Sequence, residues 1–193
     1  AFLEKKPVDV SKVQTATDFP FRAETAVILE HLIESSNQWL LKYHLALIEW
    51  NRHNLSTAKA LFEQCGNQPA DPNFYAARAA LMNDTPSLVL TDLQQTIKLN
   101  PSQWRYSKLL AEHFIVQKEY EKALSIAAPF YKAHPANYVM GMLYAKTLLL
   151  NKKYAMADAF LTKLNILPFE GATEGRQLYH EAKLMQAVAE IKK

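Results

Sequence analysis

Glycine is scarce, at 4 residues in 193. Tight hairpins draw on glycine for positive φ, so a chain this poor in it, and rich in Ala, Leu, Lys and Glu, is expected to be helical. Cysteine is nearly absent: Cys65 stands alone, which excludes an internal disulfide and any all-cysteine metal site. One free thiol fits a reducing compartment and favours the cytoplasm. Long apolar runs are missing too. The nearest, Tyr138 to Leu150, is broken by Lys146 and falls short of the roughly 20 residues that cross a bilayer, so no membrane insertion is expected. The chain opens at Ala1 with no signal peptide and no methionine, as a processed or trimmed N-terminus would. Nor is there charge of one sign: 22 basic against 19 acidic side chains leave +3. Without a local basic cluster, no nucleic-acid partner is expected. The pairs Lys152 with Lys153 and Lys192 with Lys193 read as a solvated turn and a solvated chain end.

Catalytic and metal-binding arrangements fail on spacing. His31, His44, His53, His113, His134 and His180 include no pair four apart, and His180-Glu181 lacks the second histidine of a zinc-binding helix. Cys65 falls at a small-residue position of a helix and reads as a packing thiol, since a nucleophile wants an accessible, electropositive setting. Gly171 and Gly175 are followed by no Gly-Lys-Ser/Thr, so they read as a loop and a helix start. No enzymatic activity, metal or cofactor is expected.

What the chain does contain is a period. Hydrophobic residues at 49% and aromatics at 11% suffice for a continuous core and argue against disorder. Pro101 closes TDLQQTIKLNP and Pro135 closes ALSIAAPFYKAHP, 34 residues later, and Pro168 closes LTKLNILP one residue short of the same interval. A proline there cannot extend the helix it follows and disfavours helix in the residue before it, which marks a repeat boundary.

Small residues keep the same register. Ala46 with Ala58, Ala77 with Val89, Ala111 with Ala123 and Ala145 with Ala157 all stand 12 apart, as two helices crossing closely would require. Phe62, Leu93 and Leu161 fall four after the second members, with Ala127 the exception. Between the members lie polar turns: Asn51-Arg52-His53-Asn54, Asn83-Asp84-Thr85-Pro86, Gln117-Lys118-Glu119 and Asn151-Lys152-Lys153.

On these residues the segments LALIEWNRHNLSTAKALFEQC, LLAEHFIVQKEYEKALSIA and YAKTLLLNKKYAMADAFLTKL resemble tetratricopeptide (TPR) repeats. The resemblance implies an all-α, right-handed superhelical solenoid of antiparallel helix pairs. Departures from the pattern occur at Glu49 and Ala80, where an aromatic is usual, at Phe130, where a small residue is usual, and at Pro129, which interrupts a helix. DFPFRAETAVILEHL and LNILPFEGATEGRQLYHEAKL also resemble segments of large bacterial proteins in which an uncharacterised N-terminal region precedes a TPR-like array. That resemblance implies an excised C-terminal part of a longer chain.

The expected layout is an extended arm over 1–20 and a helical-repeat domain over 21–193. Within the domain come a leading helix over 23–35, pairs over about 37–66, 72–100, 102–134 and 136–167, a loop from Phe169 to Arg176, and a terminal helix over about 175–193. That last helix has no following partner, and its apolar face of Leu178, Ala182, Met185 and Ala189 needs cover.

In a TPR-like array the first helix of each pair lines a concave groove. Three rows are expected there: Tyr43, Phe74, Lys108 and Met142; Leu47, Arg78, Glu112 and Lys146; Trp50, Leu81, Ile115 and Leu149. A charged row between apolar rows suits an amphipathic or extended peptide. A protein or peptide partner is therefore expected, identity unknown. The alternative is a structural domain bracing another domain of the same parent chain, such as a carbohydrate-active one. The Lys/Asn/Arg set by which some TPR proteins grip a terminal carboxylate is replaced here by Tyr43, Leu47 and Met142.

Overall fold

A computed structural model describes residues 22–67, 69–164 and 173–191. The expected arm over 1–20, the closing Pro168, residues 169–172 of the expected loop and the final lysine pair lie outside them. Among the described residues ten α-helices and no strand occur: α1 (Ala23–Ser35), α2 (Trp39–Asn51), α3 (Leu55–Cys65), α4 (Pro72–Leu81), α5 (Pro86–Leu99), α6 (Trp104–Val116), α7 (Tyr120–Ala133), α8 (Tyr138–Leu150), α9 (Tyr154–Lys163) and α10 (Thr173–Ile191).

Local chemistry sets several of the starts. The Asp71 carboxylate accepts from Asn73 N at 2.8 Å and Pro72 follows at the first helical position, where its missing N–H has no intrahelical partner to lose. Asn137 opens α8 by accepting from Met140 N at 3.0 Å.

Three of the four expected turns close in one way. The N–H groups of His53, Lys118 and Lys152 donate to the carbonyls of Trp50, Ile115 and Leu149, and those of Asn54, Glu119 and Lys153 reach back to Glu49, Phe114 and Leu148 at 2.8–2.9 Å. This pair of bonds satisfies carbonyls at the helix end and forces a left-handed residue just past it. His53, Lys118 and Lys152 take that place, at φ 64°, 60° and 58°. The turn before Pro86 closes differently, with Met82 N donating to Arg78 O and Thr85 N to Met82 O.

Pro129, expected to interrupt a helix, does not: α7 continues past it to Ala133. The terminal helix begins at Thr173, two residues ahead of its expected start.

Two compact units are described, Ala1–Leu99 and Asn100–Lys193. The first is centred on aromatics. Tyr43 of α2, Phe62 of α3 and Phe74 of α4 meet pairwise at 5.4–5.8 Å between ring centroids, with Trp39 at 6.0 Å from Phe74. Each such pair adds about 0.5–1.5 kcal/mol beyond the area it buries. Ala46 and Ala58 are fully buried where α2 meets α3. Cys65 is buried as well, and burial pushes its thiol up to about 11.

In the second unit Ala111, Ala123, Ala145 and Ala157 are all fully buried. Gly141 leaves room on α8 for Tyr131 of α7, since a Cβ there would stand 3.1 Å from Cε2 of Tyr131. The terminal helix finds its cover within this unit: Leu178 and Ala182 are buried in the core formed by α8 and α9, and Met185 and Ala189 are half-buried.

Candidate functional site

The expected groove residues divide according to unit. In the first, Tyr43, Phe74 and Leu81 belong to the hydrophobic core, and Leu47 and Trp50 are half-buried against it. Arg78, expected to face a partner, is 4% exposed and faces the protein instead. Its Nε and Nη2 donate to the two Asp92 carboxylate oxygens at 2.8 and 2.6 Å, its Nη1 to Gly66 O at 2.7 Å, and Nη2 also to Asn67 Oδ1 at 2.9 Å. The guanidinium lies 5.1 Å from the Phe74 ring and 5.4 Å from the Tyr75 ring. Four of the five guanidinium N–H donors are engaged inside the protein, and the bidentate pair fixes the group there. Arg78 thus ties α4 to α5 and to the end of α3. Gly66, at φ 62°, holds the left-handed backbone that presents its carbonyl to the guanidinium.

In the second unit the expectation meets a surface. Lys108 and Glu112 of α6, with Met142 and Lys146 of α8, line one cavity of about 260 Å³. Tyr138, Val139 and Leu143 complete its apolar floor, and Glu174 at the start of α10 stands opposite Lys146. Lys108 Nζ donates to Glu112 Oε1 at 2.6 Å, and Lys146 Nζ to Glu174 Oε1 at 3.3 Å. All four charged side chains are between 35% and 56% exposed. Ion pairs this wet contribute about 0–1 kcal/mol, so a partner's charge can exchange into them at little cost. Of the other two row members, Leu149 is buried and Ile115 is half-buried.

Tyr138, Val139, Leu143 and Glu174 were not among the expected groove residues. Tyr138 and Val139 lie a turn earlier on α8 than the rows extend, at four and three residues before Met142. Among the described residues no group of three or more His, Cys, Asp or Glu side chains is placed to hold a metal ion. No described helix is long and apolar enough to cross a membrane.

This helical arrangement has counterparts among solved structures. YrrB, a TPR protein with an unusual peptide-binding site, superposes with a TM-score of 0.62 at 15% identity, over 84% of this chain and 81% of its own. Two structures of MamA give TM-scores of 0.60 and 0.57 at 13% and 12% identity, covering 81% and 87% of this chain and 94% and 90% of theirs. The chain has the TPR fold. No protein-family model and no curated protein matches the sequence. At 12–15% identity the likeness speaks for the fold alone. The TPR fold serves many partners, so the fold alone does not fix what this chain binds.

Proposed function

We propose that the chain is a protein-interaction scaffold whose second unit takes an apolar side chain of a partner polypeptide into the cavity between α6, α8 and the start of α10. The observation that carries this reading is the composition of that cavity. An apolar floor of Tyr138, Val139, Met142 and Leu143 is framed by the weak pairs Lys108–Glu112 and Lys146–Glu174. A buried apolar anchor inside an exchangeable polar rim is the usual anatomy of a peptide hot spot. The peptide-binding site reported for YrrB, on the same fold, agrees with this reading. The balanced net charge, +3 in all, speaks for a polypeptide rather than a nucleic acid.

The test is selection of peptides from a random displayed library on the whole chain, followed by binding measurements with Val139→Trp. Val139 is 37% exposed at the cavity, so an indole there fills the space without entering the core. Selected peptides should lose about tenfold or more in affinity on this substitution. Peptides that bind both forms equally, or a library that yields none, would sink the reading.

A further inference from the structure

A second, smaller cavity of about 170 Å³ adjoins the first, and the two share Lys146 and Glu174 as a common wall. Its sides are Leu149 and Leu150 of α8 and Leu178 of α10, and its rim carries Gln177 and Glu181. Glu174, Leu178 and Glu181 recur at helical spacing, so they share the face of α10 that looks toward α8.

The charges of the two cavities do not cancel. Lys108 and Lys146 stand against Glu112, Glu174 and Glu181, and both lysines are already engaged, by Glu112 and Glu174. Glu181 has neither an ion pair nor a hydrogen bond among the described residues and is exposed. A leucine-walled slot with free carboxylate at its mouth suits one kind of side chain. The methylenes of a lysine or arginine pack on leucine while the cation stays at the wet rim. An acidic side chain would meet Glu174 and Glu181 there, and a purely apolar one would leave the Glu181 charge uncompensated.

We infer that the partner segment carries a lysine or arginine beside its apolar anchor, with the anchor in the larger cavity and the cation at Glu181 and Glu174 in the smaller one. The inference rests on the reading proposed above and adds the chemistry of the ligand. Selectivity follows from position, since the chain as a whole is basic while this stretch of surface is acidic.

The experiment uses the same displayed random library on the whole chain, then synthetic versions of a selected peptide whose basic residue is changed to Ala or Glu, measured by fluorescence anisotropy. Selected peptides should be enriched in an apolar residue next to Lys or Arg. The Ala version should bind about threefold more weakly. Glu181→Lys, at an exposed position whose folding is checked by circular dichroism, should weaken the basic peptide about tenfold, because attraction becomes repulsion. It should also improve the Glu version.

Peptides blocked by Val139→Trp but indifferent to Glu181→Lys, or enriched in acidic neighbours, would overturn the cation and leave the scaffold reading standing. Peptides indifferent to both substitutions would overturn the reading beneath it. Self-association of the chain that Val139→Trp abolishes would overturn both in favour of a second copy as the occupant.

Discussion

Arg78 offers the sharpest test of how the first unit is held together. Its side chain is 5% exposed and that of Asp92 1%, so the pair is shielded from water almost completely. Replacing Arg78 by Met keeps most of the volume of the stem but leaves the Asp92 carboxylate buried without a cation, and removes the donors to Gly66 O and Asn67 Oδ1. Breaking one side of such a pair typically costs about 3–5 kcal/mol, a large part of the roughly 5–15 kcal/mol that holds a small domain folded. Removing both sides behaves differently. Arg78→Met with Asp92→Leu leaves no stranded charge and should recover most of that loss, because a buried pair gains little over a well-packed apolar replacement. Urea unfolding followed by tryptophan fluorescence suits the comparison, since Trp39 and Trp50 report on the first unit and Trp104 on the second. A single substitution within about 1 kcal/mol of the parent, or a double no better than the worse single, would refute the reasoning and return Arg78 to the surface.

Two further outcomes follow from the same structure. Lys118 and Lys152 occupy left-handed positions that cost an ordinary residue about 1 kcal/mol, so Lys118→Gly and Lys152→Gly should each stabilise the second unit by about 0.5–1 kcal/mol, and Lys152→Val should destabilise it, as read from thermal melts. His44 is buried, its Nε2 has no hydrogen-bond partner among the described residues, and burial lowers its pKa from 6.5 against a smaller opposing pull from Asp71. The unfolded chain then binds the proton first, so stability of the first unit should fall as pH drops below about 6.5 and level off below the folded value. His44→Met should flatten that part of the profile, and an unchanged pH dependence would show that another group carries it.

The repeat was legible because its signals are local and periodic. A proline that ends a helix and an alanine that lets two helices touch act through their immediate neighbours, so three of the four 12-residue pairs carry into fully buried alanines and matching turns, while in the fourth Ala77 is half-buried and the turn closes differently. The cavity was less legible for two reasons. Tyr138 and Val139 sit on α8, which is apolar nearly all round, from Tyr138 through Met142 and Leu143 to Leu150, so no stripe distinguishes its cavity-facing side from its core-facing one. Glu174 falls within the expected loop because Gly175 resembles a helix start, whereas α10 begins at Thr173.

The misreading of Arg78 has a different cause. Arg78, Glu112 and Lys146 occupy equivalent places on α4, α6 and α8, yet one is buried and two line a cavity. The difference lies fourteen residues on, in the paired helix. Arg78 meets Asp92 there, so its charge is neutralised inside the unit and can be buried. The corresponding residues for Glu112 and Lys146 are Ile126 and Phe160, which accept no ion pair. Those two charges turn outward and settle for Lys108 and Glu174, partners weak enough for a ligand to displace. The same register position is thus buried where the paired helix supplies a carboxylate, as at Arg78, and left partly exposed where it supplies an apolar residue. A substitution such as Ile126→Lys, by offering Glu112 an internal partner, should draw it away from Lys108 and weaken any peptide that relies on that rim.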